Sequence, residues 1–289
     1  MRRLYYTVGG AALCVELPQE LQYPHEGRLA PFRTDPVTSA YRCTVALTDT
    51  LDPPQSPLLH KEPAFLVYGD GAATVRYMGH IRTDWRNAHT RVLHRGNEIA
   101  VQLQYPTFSN TLAAKTLMDA LGLEHLIARA GGFIFHCSYI DVGGKAVLFT
   151  APSGTGKSTQ ADLWQKYRNA DIINGDRAAV RICDGIPTAC GIPFAGSSQY
   201  CKNRDLPIAA IVYLSQAPEN TLRTVKGYEA FLRIWEGVSV NTWDKTDLEL
   251  VSSAVQTLAA QVPVFHLCCT PDESAVLTLE AALRKLEIL

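Results

Sequence analysis

The stretch Ala151–Thr159, which reads APSGTGKST, is the most informative part of the chain. The apolar run Lys145–Thr150 precedes it, and Ala161 and Trp164 follow it at helical spacing. A strand, a glycine-containing loop and a helix in that order are typical of a phosphate-binding P-loop. In such a loop, backbone N–H groups and the helix N-terminus surround the phosphate oxygens. Ala151 stands where the strict motif opens with glycine, and the rest of the pattern predicts nucleotide binding.

The side chains of this motif have expected roles. Lys157 is expected to reach the β- and γ-phosphates of ATP or GTP, and the Ser158 hydroxyl is expected to bind Mg²⁺. The alternative is a Gly- and Ser-rich turn without a ligand, which the Gly-Lys-Ser order and both flanks disfavour. The residues expected to contact the nucleotide are Ser153, Gly154, Thr155, Gly156, Lys157, Ser158 and Thr159.

Composition narrows the class of protein. A chain of 289 residues has room for two domains, and 47% apolar with 19% charged residues is ordinary for a soluble globular protein. A net charge of −1 gives no sign of a nucleic-acid or membrane surface. The N-terminus lacks a signal-peptide core, so a cytoplasmic protein is expected. The eight cysteines form no Cys-x-x-Cys pair and are expected to be reduced thiols without a metal.

Residues 1–107 are predicted to form a mostly antiparallel β domain for recognition or assembly. Three glycine-containing turns, at Gly9-Gly10, Gly69–Gly71 and Arg95–Asn97, each separate two strand-like runs and so predict hairpins. The proline-rich segment Asp52–Pro57 is expected to hold no regular element. The histidines of this half match no local metal motif and are expected in turns or on the surface: His25, His60, His80, His89 and His94.

Residues 108–289 are predicted to form a second, α/β domain, with the boundary near Pro106–Ser109. Helical spacing begins there and ends at Gly131-Gly132. Thr270–Glu273 reads as a helix-capping box with proline at the first helical position. The expected strands are Phe133–Ile140, Asp171–Asp176, Val180–Cys183, Pro207–Leu214 and Val264–Leu267. A helix is expected over Leu248–Val262.

Two features of this second half suggest chemistry. Asp176 follows a short apolar strand, a position from which an acid usually faces the phosphates or Mg²⁺, although a plain turn residue is the alternative. The loop Gly191–Arg204 is a candidate acceptor or γ-phosphate loop, and an ordinary surface loop is its alternative. The residues of interest in that loop are Ser197, Ser198, Lys202 and Arg204.

The order of His136, the strand Ala146–Thr150, the Ser-Gly-Thr-Gly-Lys-Ser loop and Asp176 resembles the catalytic domain of HPr kinase/phosphorylase and its HPr-kinase-like relatives. This family shares its P-loop fold variant with phosphoenolpyruvate carboxykinase. The resemblance covers Phe133–Leu214 well and the C-terminal helices loosely. It implies that Asp176 is the catalytic acid/base and a metal ligand with Ser158, and that His136 lies beside the phosphates.

The sequence departs from the family at two places. Gly175 stands where the family has the first of two aspartates, and Thr188–Gly191 lacks the Glu and Arg of the family's Glu-apolar-Arg-Gly segment. These departures weaken the case for HPr phosphorylase activity and for a second metal contact. Lys202 or Arg204 is a candidate for the lost cation.

The resemblance implies an ATP- and Mg²⁺-dependent kinase acting on a hydroxyl group. The expected acceptor is a serine in a peptide or protein, including the precursor of a ribosomal peptide natural product; free serine or another small hydroxyl compound is the alternative. A nucleotide-binding regulatory protein without turnover and a carboxykinase-like enzyme are the competing hypotheses. The sequence leaves open whether identical subunits assemble.

Overall fold

The computed structural model describes residues 1–38, 41–79, 84–105, 107 and 111–287. The chain divides into two compact units, Met1–Leu123 and Glu124–Leu289. Of the expected boundary at Pro106–Ser109, only Thr107 lies within the described residues. Both units contain a large mixed sheet, so the fold class is mixed α/β.

The described residues of the first unit form an eight-stranded sheet in the order β1-β2-β3-β8-β7-β6-β5-β4. The β2–β3 and β3–β8 pairs are parallel and the other pairs are antiparallel, so the sheet is mostly antiparallel as expected. Its helical segments are two 3₁₀ turns, Gly27–Phe32 and Trp85–Asn87, and the helix α1, Ala114–Leu121. The strands are β1 Arg2–Val8, β2 Ala11–Leu17, β3 Tyr41–Thr48, β4 Leu58–Glu62, β5 Phe65–Gly69, β6 Thr74–Gly79, β7 Ala88–Arg95 and β8 Glu98–Gln104.

The three expected hairpins are present. Between β1 and β2, Gly9 and Gly10 have positive φ angles of 52° and 82°. The two-residue turn whose twist matches that of the flanking strands requires positive φ at both positions. The surface assignment of the histidines is wrong for His94, which is only 9% exposed on β7. His80 lies outside the described residues.

The second unit contains the remaining strands, in one sheet with the order β12-β10-β11-β15-β14-β13-β9-β17 among the described residues. In addition, β18 pairs with β15 and β16. The strands are β9 Gly132–His136, β10 Ser138–Val142, β11 Lys145–Thr150, β12 Asp171–Asn174, β13 Arg177–Cys183, β14 Ile186–Cys190, β15 Asp205–Gln216, β16 Thr221–Val225, β17 Val238–Ser239 and β18 Val264–Cys269. The helices are α2 Leu123–Arg129, α3 Lys157–Arg168, α4 Gly227–Trp235, α5 Lys245–Gln261 and α6 Glu273–Lys285.

The parallel strands β11, β15 and β18 are buried on both faces. Successive side chains of β11 point to opposite faces, so Leu148 packs with α4 and α5 while Phe149 packs with α3 and α6. Each fully buried side chain of this size contributes about 1.5–3 kcal/mol. The layered core fixes the carboxyl ends of β11 and β15 at one edge of the sheet.

The prediction of one strand over Phe133–Ile140 is wrong in one respect. The structure has two strands there, β9 and β10, which are separated at Cys137. β9 pairs with β13 and β17, whereas β10 pairs with β11 and β12. The Cys137 N–H donates to the Asp176 carbonyl at 3.0 Å. This change of partners leaves His136 at the end of β9, next to Asp176.

The expected cap of the last helix is also wrong. Asp272, not Thr270, caps α6, because its carboxylate accepts from the Ser274 N–H at 2.9 Å. Thr270 is instead bonded to the Asn220 side chain, so Pro271 precedes the helix. No described helix combines the length and apolar character needed to cross a membrane.

Candidate functional site

The glycine loop, Ala151–Gly156, joins the end of β11 to the start of α3. Gly154 and Gly156 have φ of 79° and 117°, which side chains other than glycine rarely adopt. Among the described residues, no side chain caps the N-terminus of α3. Its free N–H groups and the helix dipole make this end of the helix favourable for an anion.

Lys157 is buried at the start of α3, with 8% of its surface exposed. Its ammonium donates to the carbonyls of Ala151 at 2.9 Å and Pro152 at 3.3 Å, so it lies within the glycine loop. Burial lowers the pKa of Lys157, and the charge of Asp176 opposes that shift. A buried ammonium beside a helix N-terminus fits a phosphate group.

Asp176 lies in the turn between β12 and β13, and the buried side chain of Asn174 holds that turn. The Asn174 amide oxygen accepts from the N–H groups of Asp176 and Arg177, both at 3.0 Å. His136 Nε2 lies 3.3 Å from one carboxylate oxygen of Asp176, and Arg177 Nε lies 3.3 Å from the other.

The environment of Asp176 favours its charged form. Hydrogen bonding from His136 is the largest influence and lowers the pKa of Asp176, and the charge of Arg177 acts in the same direction. Partial burial opposes both. The carboxylate is therefore ionised at neutral pH, which is the form that binds a metal ion or accepts a proton.

The long loop, Gly191–Arg204, is held beside this turn by buried contacts. The Asn174 amide nitrogen donates to the carbonyls of Ile192 at 3.2 Å and Phe194 at 2.8 Å. The Lys202 N–H donates to the Ile173 carbonyl at 3.0 Å. Asn174 thus connects the long loop to Asp176 through one side chain.

The turn Ala195–Ser198 forms the tip of the long loop, and two glycines allow this tip to approach Asp176. A Cβ atom on Gly196, where φ is +49°, would lie 2.9–3.0 Å from the Asp176 carboxylate atoms. A Cβ atom on Gly175 would lie 2.3 Å from the Ser198 hydroxyl oxygen. The space beside Gly175 is therefore filled by Ser198.

A cavity of about 330 Å³ opens between α3 and the long loop. Some of the side chains that line this cavity were indicated by the sequence, and others were not. The polar residues lining it are Ser158, Asp162, Asp176, Ser197, Ser198, Gln199 and Tyr200.

The family model described as SynChlorMet cassette protein ScmC matches residues 107–272, which is more than half of the chain. The chain belongs to the ScmC family. The segment that places it there contains the glycine loop, His136, Asp176 and the whole long loop. No curated protein matches the chain.

Among solved structures, this ScmC-family chain is similar to the Hpr(Ser) kinase/phosphatase from Coxiella burnetii. The match has 11% sequence identity and covers 53% of this chain and 98% of that one, with a TM-score of 0.33. A score this low does not establish a common fold.

The other expected site residues of the ScmC-family chain lie as follows. The nucleotide-loop positions Ser153 and Thr159 are exposed, and Thr155 is half-buried. Lys202 is paired with Asp171, and Arg204 lies 2.6 Å from an Asp141 oxygen. The cation beside Asp176 is instead Arg177.

Three residues of the site were not anticipated from the sequence. Asn174 and Arg177 flank Gly175-Asp176 in the sequence. Their closeness to Asp176 in the chain could therefore have identified them as candidate site residues. Asp162 lies one helical turn after Ser158, the spacing that puts two side chains on one face of a helix. Burial raises the pKa of Asp162.

Proposed function

We propose that this ScmC-family chain is an ATP- and Mg²⁺-dependent kinase that transfers the γ-phosphoryl group to a hydroxyl. The observation that carries the proposal is the shared cavity of Ser158 and the ionised Asp176 beside the glycine loop. Ser158, next to the proposed phosphate site, and the Asp176 carboxylate line this cavity together, and phosphoryl transfer needs a phosphate site beside a carboxylate.

The glycine loop would hold the nucleotide phosphates. Lys157 and the uncapped N-terminus of α3 provide positive charge, and the left-handed Gly154 and Gly156 let the backbone turn around the anion. Gln216 at the end of β15 supports the loop, since its amide lies 3.5 Å from the carbonyls of Gly154 and Thr155.

Ser158 and Asp176 would hold Mg²⁺. A hydroxyl and an ionised carboxylate are oxygen ligands of the kind that Mg²⁺ prefers, and a site with few protein ligands suits this ion because it usually keeps several waters. When bound, Mg²⁺ neutralises charge that develops on the phosphates.

Asp176 would orient the hydroxyl of the acceptor and receive its proton. Its low pKa makes it a weak base, which suits a loose transition state in which the hydroxyl proton leaves late. His136 and Arg177 would hold the two carboxylate oxygens in place while the acceptor approaches.

A serine side chain of a peptide or protein is the preferred acceptor. A cavity of about 330 Å³ is at the small end of ligand pockets, so it suits one inserted side chain better than a large metabolite. Free serine also satisfies this size limit and remains the second acceptor class.

A nucleotide-binding regulatory protein is the alternative. The tip of the long loop lies against the Asp176 carboxylate at Gly196, and Ser198 fills the space beside Gly175. If the tip never moves, it narrows the approach of an acceptor to Asp176, which is only partly exposed, and nucleotide would bind without transfer.

The test is transfer from γ-labelled ATP with Mg²⁺ to free serine, serine-containing peptides and cell lysate. Wild type is expected to label a defined acceptor, and Asp176→Asn is expected to lose about 10²- to 10⁴-fold in rate because its side chain is a poor proton acceptor. The matched control is Asp184→Asn, since Asp184 is an exposed turn residue with φ of 50°, which asparagine tolerates. Nucleotide binding without any transfer by wild type would favour the regulatory protein.

A further inference from the structure

The tip of the long loop places a serine of the chain itself in the proposed transfer cavity. The Ser198 N–H donates to the Ala195 carbonyl at 2.8 Å, which closes a tight turn with Gly196 and Ser197 at its centre. Gly196 lies against the Asp176 carboxylate, and Ser197, which is exposed, lines the same cavity. Ser197 follows Gly196 directly in the chain, and adjacent Cα atoms are about 3.8 Å apart, so a movement of the tip could carry the Ser197 hydroxyl toward that carboxylate.

The neighbouring serine has a structural role. Ser198 is half-buried, its hydroxyl oxygen accepts from the Tyr200 N–H at 3.1 Å, and it fills the space above Gly175. Within the part of the chain that the structure describes, no such bond holds the Ser197 hydroxyl. Ser197 is therefore the more accessible serine of the pair.

The contacts on both sides of the tip confine any movement to the tip itself. Phe194 is tied to Asn174 before the tip, and Tyr200 is bonded to Gln165 of α3 after it, at 3.2 Å. The tip between these anchors is only a few residues long. It can therefore adjust while the rest of the long loop stays in place.

We propose that Ser197 is a phosphoryl acceptor, so that the protein phosphorylates itself in the cavity where an external acceptor would bind. The proposal rests on the proposed kinase function. The Ser197 Oγ–phosphorus bond forms as the bond from the γ-phosphorus to its bridging oxygen breaks. The nucleoside diphosphate leaves with that electron pair, and the Ser197 proton passes to the Asp176 carboxylate.

Phosphorylation of Ser197 would regulate the site. A phosphoserine carries about −1.5 to −2 charges at neutral pH, and Asp162 and Asp176 line the same cavity. Repulsion and the lost volume would both hinder an external hydroxyl. The modified protein is therefore expected to transfer phosphate to other acceptors more slowly than the unmodified protein.

The experiment is mass spectrometry of the full chain after incubation with Mg·ATP. Trypsin releases residues 182–202 as one peptide, in which Ser197 and Ser198 are the only serines, so fragmentation between them locates the phosphate. We expect one phosphoryl group on Ser197, at a rate per molecule that does not change on dilution.

The variants assign the modification to this site. Ser197→Ala is expected to lose the label, Ser197→Thr to regain it as phosphothreonine, and Asp176→Asn to lose it. Ser253→Ala, which removes an exposed serine of α5 outside the cavity, is expected to keep it. Thermal unfolding of each variant separates a lost reaction from a lost fold.

The contrary outcomes are distinct. Transfer to an external acceptor with no phosphate on Ser197 would overturn self-phosphorylation and leave the kinase intact. Phosphate on Ser198, or on Ser197 of Asp176→Asn, would also overturn the assignment. No transfer to any acceptor, internal or external, would overturn the kinase and this inference together.

Discussion

The long loop and helix α3, which follows the glycine loop, line one cavity, but the two loops obtain their shapes in different ways. The glycine loop is shaped locally, by the strand before it, the helix after it and two left-handed glycines. The long loop is shaped by distant residues, chiefly the Asn174 amide that bonds Ile192 and Phe194. We infer that nucleotide binding depends on local sequence, whereas transfer depends on tertiary contacts that position the long loop against Asp176.

The largest effect in this comparison is expected from Asn174→Ala. The substitution leaves two buried N–H groups and two carbonyls without the Asn174 amide, so the free energy of unfolding should fall by about 3 kcal/mol or more. Denaturant unfolding measures the loss. Asn174→Asp is the comparison variant, because it keeps the acceptor for the Asp176 and Arg177 N–H groups but places a buried carboxylate oxygen against the Ile192 and Phe194 carbonyls of the long loop. Equal stability of both variants and wild type would contradict the role of Asn174.

An intermediate effect is expected from Gly196→Ala. Its Cβ atom would meet the Asp176 carboxylate, so the loop tip should shift and phosphate transfer should fall while ATP affinity is unchanged. The control is Gly185→Ala, at φ of 80° with open space around the added atom. Both variants should lose about 1–2 kcal/mol of stability from the left-handed backbone. If Gly185→Ala lowers transfer as much, strain rather than contact with Asp176 is the cause.

The smallest effect is expected on the pH profile. His136 lowers the pKa of Asp176, so the folded-state value is below the unfolded one. The resulting contribution to the free energy of unfolding is present above the pKa of Asp176 in the unfolded state, near 4. It is lost as the pH falls through the pKa of Asp176 in the folded state. His136→Ala should therefore move the acidic limb of the transfer rate to higher pH, and a rate profile that extends from neutral pH to well below about pH 4 measures this. An unchanged limb would show that His136 does not act on Asp176.

The sequence predicted the locally determined parts of the molecule. The Gly9-Gly10 turn fixes its own hairpin, and the strand and helix that flank the glycine loop follow from periodicity. The parallel pairing of β3 with β2 and β8 was not predicted, because partners far apart in the chain leave no local pattern. The break at Cys137 was missed for the same reason, since it depends on β9 and β10 having different partners.

The candidate site divides in the same way. Lys157, Ser158 and Asp176 were indicated by the motif and its distance from the next strand. The positions of Lys202 and Arg204 were not, because Asp171 and Asp141 engage them and both lie outside the long loop. Asp272 and Thr270 are both good helix caps, and only the bonds of Asn220 to Thr270 determine which one begins α6.

The most direct test of the different roles of the two loops is the affinity for Mg·ATP, measured by calorimetry. Lys157→Ala should bind roughly 10- to 150-fold more weakly, as expected for loss of a charged hydrogen bond of about 1.5–3 kcal/mol. Asp176→Asn should bind within a few-fold of wild type, because the amide oxygen of asparagine can still serve as a ligand of Mg²⁺. Lys166→Ala, at an exposed position of α3, should not differ from wild type. Equal loss in Lys157→Ala and Asp176→Asn, or no loss in Lys157→Ala, would contradict the account.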